Sequence, residues 1–189
     1  MIATVIADKD GQTPLFEKLK NFIIPYLEKK GLETEIIMVG RDDLAYCMGC
    51  FGCWIKKPGE CVINDRMTEI NQFYNRSDFV IYISPVVFGQ VSANIKNALD
   101  RWLPNILPFF NTNSRGFTEH PWRYATHPKR ILIGYADKIP DDDRQLFSDI
   151  PLKHQGSFEV LTYQKEDGEN SFIQAFQSIE FESVGGKQE

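Results

Sequence analysis

The cysteines are the residues of this chain whose spacing most strongly indicates chemistry. All four fall in one short window and read C-x2-C-x2-C-x7-C. The two-residue gaps let one loop bring three thiolates together, and the longer arm returns the fourth. The intervening Gly49, Gly52 and Gly59 give the backbone the freedom that such wrapping requires. The pattern suits an iron–sulfur cluster, whose metal ligands would be Cys47, Cys50, Cys53 and Cys61.

The spacing leaves other interpretations of these cysteines open. Four reduced thiols can line a pocket without any metal. Zinc fits less well, because structural four-Cys zinc sites usually carry two C-x2-C knuckles that are well separated in sequence. A thioredoxin-type C-x2-C pair would leave two of the four cysteines unexplained.

A strand that runs into a short turn forms a second candidate site. Residues 79–83 read as a buried strand, and the following SPVVFGQVS leads into a helix that Ser92 can cap. The backbone amides after the proline are free to face a ligand, and Val87 and Phe88 offer apolar surface to a flat aromatic ring. The alternative is an ordinary strand–helix connection. The predicted cofactor-binding residues in this turn are Ser84, Pro85, Val86, Val87, Phe88 and Gly89.

Strand-length apolar runs alternate with helical patterns along the chain. Several runs are nearly continuous in Val, Ile, Leu and Tyr, as strands buried on both faces are. Helices are expected from Thr13 to Gly31, from Asn64 or Asp65, from Ser92, and near the two segments 141–148 and 171–179. The predicted strands are residues 3–7, 35–39, 79–84, 130–135 and 158–163.

This alternation predicts an α/β fold. Five strands fit a flavodoxin-like three-layer sandwich, with a five-stranded parallel sheet in the order 2-1-3-4-5. Such sheets bind ligands beyond the carboxyl ends of their strands, near the switch point between strands 1 and 3. The loops after Ala7 and Ser84 are therefore expected to border the site.

The 189 residues are expected to form a single domain over residues 1–179, followed by a polar tail at 180–189. Two segments interrupt the alternation: a Cys-rich loop at 46–62 and an aromatic and Pro-rich excursion at 103–128. A loop as long as the second is expected to be a lid, a binding loop or an oligomer contact.

Composition excludes several classes of partner. The net charge is −5, which argues against nucleic acid or an anionic membrane, because both need a basic face. No run reaches the length of a membrane span, and the N-terminus does not read as a signal peptide, so the protein is expected to be cytoplasmic.

The stretch from Cys47 to Arg101 resembles the iron–sulfur flavoprotein branch of the flavodoxin-like, NADPH-dependent FMN reductase superfamily. The matching motifs are CMGCFGCW, PGECVINDRM, SPVVFG, SANIK and the pair Asp100-Arg101, in the family's order and over less than a third of the chain. The resemblance implies that the four cysteines hold a four-iron, four-sulfur (4Fe-4S) cluster and that residues 84–89 contact the ring of FMN. It also implies NAD(P)H as co-substrate and a homodimer or tetramer.

The first loop departs from the family's pattern. The family usually reads Gly-Ser-Pro-Arg followed by Gly, Ser, Asn and Thr, and holds the FMN phosphate at a helix N-terminus. This chain reads DKDGQT from Asp8. Asp8 and Asp10 would each oppose a phosphate by about 1 kcal/mol at water-like screening over about 4 Å. The predicted cofactor-binding residues that can still donate hydrogen bonds here are Gly11, Gln12 and Thr13.

Two functional hypotheses result. The first is an FMN-dependent NAD(P)H oxidoreductase or electron-transfer flavoprotein that exchanges electrons with a small-molecule or protein partner. The alternative, motivated by the first loop, is a flavodoxin-like protein that has lost FMN and acts as a thiol- or metal-based redox sensor or interaction protein. No catalytic acid or base is predicted for either.

Overall fold

Apolar runs of β-branched and aromatic residues form the central strands, as the sequence predicts. The structure, a computed structural model, describes residues 1–113, 116–153 and 158–181. The strands are β1 (Ile2–Asp8), β2 (Glu33–Val39), β3 (Phe79–Val87), β4 (Gln90–Val91), β5 (Asn111–Thr112), β6 (Thr118–Glu119), β7 (Lys129–Ala136) and β8 (Phe158–Gln164). Five of them pair in parallel in the order β2-β1-β3-β7-β8, which confirms the predicted topology.

Helices cover both faces of the sheet. They are α1 (Pro14–Lys29), α2 (Gly52–Ile55), α3 (Met67–Arg76), α4 (Ala93–Asp100), α5 (Asp141–Lys153) and α6 (Glu169–Gln177). Apolar side chains of α1 and α6 form one core with the sheet, and those of α3, α4 and α5 form the other. The predicted three-layer sandwich is therefore confirmed. No helix in the described part of the chain combines the length and the apolar character needed to cross a bilayer.

Local hydrogen bonds set the helix starts that position the candidate sites. The Thr13 hydroxyl accepts the N–H of Phe16 at the start of α1, at 3.3 Å. The Asp65 carboxylate accepts the N–H of Met67 at the start of α3, at 3.0 Å. Ser92 caps α4, as predicted from the sequence.

The excursion at 103–128 is more ordered than a simple loop. It begins with a 3-10 turn at Leu103–Asn105, continues into the β5–β6 hairpin and is closed by a bridge between Ile106 and Trp122. Residues 114–115, which the sequence places between β5 and β6, lie outside the described residues.

A ladder of three asparagine side chains ties the excursion to α3. The amide nitrogen of Asn105 donates to Asn71, and that of Asn75 donates to Asn105, both at 2.8 Å. Asn71 in turn donates to the carbonyl of Arg101 at 3.4 Å. Because Asn71 and Asn105 are buried, the ladder satisfies polar groups that water does not reach.

The prediction of a polar tail from residue 180 is wrong for Phe181. Phe181 is buried, with its ring against those of Phe79, Tyr26 and Phe176. A phenyl ring in such a cluster removes apolar surface from water, and this burial outweighs the polar character of its neighbours. The rest of the predicted tail, 182–189, lies outside the described residues.

Candidate functional site

The loop between β1 and α1 is closed by its own first residue. Asp8 is 2% exposed, and its Oδ1 accepts the N–H groups of Asp10 at 2.8 Å and Gly11 at 3.0 Å. These are backbone donors of the kind that bind an anion beyond the end of a parallel strand. Here they bind a carboxylate of the same loop.

A second carboxylate lies at the mouth of this loop. Oδ2 of Asp10 accepts the N–H of Arg41 and the side-chain amide of Asn94, both at 3.0 Å. The hydrogen bonds from Asn94 and Arg41 lower the pKa of Asp10, so this carboxylate stays charged. The same Asn94 nitrogen lies 3.0 Å from Oδ1 of Asp8 and therefore links the two acids.

The first loop also packs against the segment that follows β3. A Cβ on Gly11 would lie 2.6 Å from Cγ of Pro85, and the hydroxyl of Tyr135 donates to the carbonyl of Gly11. The structure therefore brings the two predicted cofactor-binding segments together, in direct contact at this point. Gln12 and Thr13 remain exposed at the rim.

Residues 84–91 form a β-hairpin rather than an open loop. Val86 and Val87, the end of β3, pair with β4, so part of the predicted loop is a strand. Ser84 is fully buried, and its hydroxyl accepts the N–H of Ser92 at 2.8 Å. Its contacts are internal, and they fix the base of the hairpin.

The hairpin tip presents apolar surface to solvent. Phe88 is 86% exposed and Val87 is 44% exposed. Phe88 and Gly89 have φ angles of 50° and 69°, and glycine is the residue that adopts this left-handed conformation without strain. Gly89 also rests on Leu146 of α5, since an added Cβ would lie 2.8 Å from that side chain.

The four cysteines line one small pocket of about 20 Å³. Cys47 and Cys50 are exposed, Cys61 is half-buried, and Cys53 is buried on the single-turn helix α2. Burial, together with the neighbouring thiols, raises the pKa of the Cys53 thiol. The predicted ligand set thus shares one pocket, but among the residues that the structure describes no three His, Cys, Asp or Glu side chains converge as a metal site.

Arg101, at the end of α4, reaches into this cysteine pocket. Its side chain is 1% exposed, and Nη2 lies 3.3 Å from the sulfur of Cys61. Nη1 donates to Asp65 and, at 3.0 Å, to the carbonyl of Ala45. Burial opposes ionisation of Asp65, but the hydrogen bonds from Arg101, Ala45 and Met67, together with the charge of Arg101, outweigh it and lower the pKa of that carboxyl. The cysteine loop is therefore in contact, through Cys61, with the buried guanidinium of Arg101, which is paired with Asp65.

A larger cavity of about 550 Å³ lies between α4, α5 and the sheet. Its lining includes the hairpin residues Gly89 and Val91 and Cys47 of the cysteine loop. Apolar side chains, including Leu132 and Phe147, form much of its wall. Cys47 borders both this cavity and the cysteine pocket, so the cavity joins the two predicted sites along one side of the sheet.

Sequence reasoning did not assign roles to Asn94 and Arg101, which the structure places in these two sites. Arg101 was visible only as part of a matched motif; the signal for it was a charged residue at the end of an amphipathic helix, on the side that carries the buried Asn97 and Ala98. Asn94 gave no such signal, because its contacts to Asp8 and Asp10 join segments more than 80 residues apart.

Comparison with known proteins gives a match to a family model. The model described as NADPH-dependent FMN reductase matches residues 16–121, more than half of the chain. The matched stretch contains the cysteine loop, the hairpin and Arg101, and it begins after the first loop.

Curated relatives match a little under half of the chain. An iron–sulfur flavoprotein of Archaeoglobus fulgidus is 38% identical over 87 residues, which are 46% of this chain and 39% of that protein. The iron–sulfur flavoprotein MJ1083 of Methanocaldococcus jannaschii is 38% identical over 90 residues, 48% of this chain and 46% of that protein. The chain therefore matches less than half the length of these relatives. Their names agree with the predicted resemblance, which is confirmed.

Solved structures match over nearly the whole chain. An NAD(P)H:quinone oxidoreductase from Methanothermobacter marburgensis has a TM-score of 0.59 at 12% identity, covering 94% of this chain and 92% of that one. An azoreductase from Bacillus anthracis has a TM-score of 0.55 at 12% identity, covering 93% and 94%. At this identity the likeness establishes the fold.

Proposed function

Because the chain belongs to the NADPH-dependent FMN reductase family, we propose that it is a redox protein that passes electrons from NAD(P)H to a small-molecule or protein acceptor. The observation that carries this proposal is the position of Cys47, which borders both the cysteine pocket and the cavity that reaches the hairpin. A redox centre beside a space for a planar ring is what electron exchange between the two requires.

The flavin ring fits the hairpin better than the flavin phosphate fits the first loop. Val87 and Phe88 are exposed and apolar, so they would hold one side of a ring by burying its surface. A bound flavin would supply hydride and single-electron chemistry. The phosphate does not fit, because Asp8 already takes the N–H groups of Asp10 and Gly11.

The cysteine pocket fits a 4Fe-4S cluster in the type and number of its donors. The residues that would hold the cluster are Cys47, Cys50, Cys53 and Cys61, and the cluster would supply one-electron transfer. Nη2 of Arg101, 3.3 Å from the sulfur of Cys61, would donate a hydrogen bond to that sulfur in a bound cluster.

A second candidate function keeps the thiols free of metal. The described side chains do not converge on a metal position, and two of the cysteines are exposed. Under this alternative the chain is a thiol-based redox sensor or interaction protein.

One experiment separates the candidates. Protein purified anaerobically is analysed for iron, sulfide and flavin, and NAD(P)H oxidation is measured with added flavin. We expect iron and sulfide in equal amounts and flavin-dependent oxidation. The Cys50→Ser variant should lose the iron, while Met48→Ala, a change of an exposed residue lining the same pocket, should keep it. Full iron content in Cys50→Ser would exclude the cluster, and no oxidation with any flavin would exclude the reductase.

We further propose that the chain forms a homodimer or tetramer. Phe109, Phe110 and Phe117 of the excursion are all exposed, and phenyl rings clustered at a surface are typical of protein interfaces. Light scattering on the purified protein tests this: a monomeric mass at every concentration would contradict it.

A further inference from the structure

We infer that the carboxylate of Asp8 closes the first loop to phosphate, so that a flavin bound at this edge of the sheet gains nothing from a terminal phosphate. The ligand class is then a planar redox ring without a phosphate, with riboflavin as the simplest example. The ligand part of this inference rests on the proposed function, whereas the closure of the loop rests on geometry alone.

The closure follows from the donors that Asp8 occupies. Oδ1 accepts the N–H groups of Asp10 and Gly11 and lies 3.0 Å from the amide nitrogen of Asn94. An N–H donor already directed at a buried carboxylate is not available to a second anion. Asp8 therefore stands in for the anion that such a loop would bind.

The surroundings of the loop add a second carboxylate, on which the positive charges of Lys9 and Arg41 act. Asp10 places a second carboxylate at the mouth, held there by Asn94 and by the N–H of Arg41. The nearby ammonium group of Lys9 lies 3.9 Å from Asp43, which neutralises part of its charge. A phosphate dianion approaching the loop would meet two acids first.

Contacts of Gly11 and Thr13 also hold the first loop in place, so the Asp8 carboxylate is not easily displaced. Gly11 is in contact with Pro85 of the hairpin, and its carbonyl accepts a hydrogen bond from Tyr135. Thr13 is engaged in capping α1. The family match begins at residue 16, so the stretch that closes the site lies outside the matched residues.

The first test compares the binding of riboflavin and FMN by quenching of flavin fluorescence. In the native protein we expect FMN to bind no more tightly than riboflavin. Asp8→Gly removes the carboxylate, frees the two N–H groups and should favour FMN over riboflavin by about tenfold or more. Asp8→Asn is the matched control: it removes the charge but keeps an oxygen acceptor on the same donors, so its preference should change less.

Native protein that binds FMN at least about tenfold more tightly than riboflavin would overturn the inference. So would a folded Asp8→Gly variant that shows no gain for FMN. The comparison in the native protein needs no variant, and therefore stands even if Asp8→Gly does not fold.

A second test needs no flavin. Inorganic phosphate is titrated into isotope-labelled protein while the backbone amide signals of Asp10 and Gly11 are followed. They should stay unshifted in the native protein and move saturably in Asp8→Gly. A saturable shift in the native protein would refute the closure. If neither flavin binds but these amides behave as expected, the proposed function fails while the closure of the loop holds.

Discussion

The Nη2 group of Arg101 lies 3.3 Å from the sulfur of Cys61, while Nη1 of the same guanidinium pairs with Asp65. One buried cation thus serves a thiol and a carboxylate that precedes α3. The Nε atom of Arg101 has no hydrogen-bond partner among the described residues, so the guanidinium group is held by its two terminal nitrogens. The cysteine loop and the start of α3 are therefore tied to the end of α4 through a single side chain.

Replacement of Arg101 by Met should destabilise the iron-free protein by about 3 kcal/mol, because it leaves the half-buried Asp65 carboxylate unpaired. Adding Asp65→Asn should recover part of the loss, since the two residues interact directly. Urea unfolding measures both values. Arg66→Met serves as the control: its ion pairs are exposed, and it should change stability by less than about 1 kcal/mol. Equal effects of Arg101→Met and Arg66→Met would contradict the prediction.

The thiols of the iron-free protein should react with iodoacetamide in a fixed order. Cys47 and Cys50 are exposed and should react first. Cys53 should react last, because its sulfur is buried and burial raises the pKa of its thiol. Mass spectrometry of peptides from a time course gives the order. In urea the four rates should become similar, and an order that survives unfolding would show that the folded pocket is not its cause.

Gly134→Ala should destabilise the protein by about 1–3 kcal/mol, because its Cβ would lie 2.6 Å from the ring of Phe147 and 2.7 Å from Val86. Gly40→Ala is the matched control: its nearest neighbour is the flexible Lys9 side chain at 3.1 Å, so the effect should stay within about 0.5 kcal/mol. Thermal and urea unfolding of both variants test this. A stable Gly134→Ala protein would mean that α5 can move away from the sheet without loss.

We expect the free energy of unfolding to decrease as the pH falls below about 6.5, because His127 takes up a proton more readily in the unfolded chain than in the folded one. Burial and the positive charge of Arg130 lower the pKa of His127. The imidazole ring of His127 stacks on the ring of Trp122, with the two ring centroids 3.9 Å apart. The unfolded chain then binds the proton more tightly, so stability is present above the ordinary pKa of histidine and is lost as pH falls toward the lower, folded value.

His127→Phe keeps an aromatic ring against Trp122 and removes the titration. Its Tm should therefore decline less than that of the native protein between about pH 7 and 5.5, while the two profiles run parallel above about pH 7.5. Parallel profiles over the whole range would show that His127 does not contribute.

The sequence predicts the centre of the sheet well because its central strands β1, β3 and β7 are buried on both faces. The runs that begin near Ala3 and Phe79 have no polar face that competes with another assignment, so their positions and order follow. The sequence also predicted the start of α4, because Ser92 caps the helix through a hydrogen bond to a residue nearby in the chain.

The sequence did not predict the contacts between segments that are far apart in the chain. The two acids of the first loop suggested repulsion of a phosphate, but not that Asp8 would turn inward onto its own backbone amides. The hairpin was missed because a turn with a left-handed phenylalanine at position 88 is unusual. Such features depend on tertiary packing rather than on local propensity.

The asparagine ladder bears on the order in which the molecule assembles. It joins Asn71 and Asn75 to Asn105, which lies 34 and 30 residues further along the chain, so it forms only after the intervening chain has closed. The excursion can therefore settle against α3 only once the segment between them, which includes β3 and α4, has folded back. Because Asn71 also holds the carbonyl of Arg101, the support of the cysteine loop is completed in that same late step.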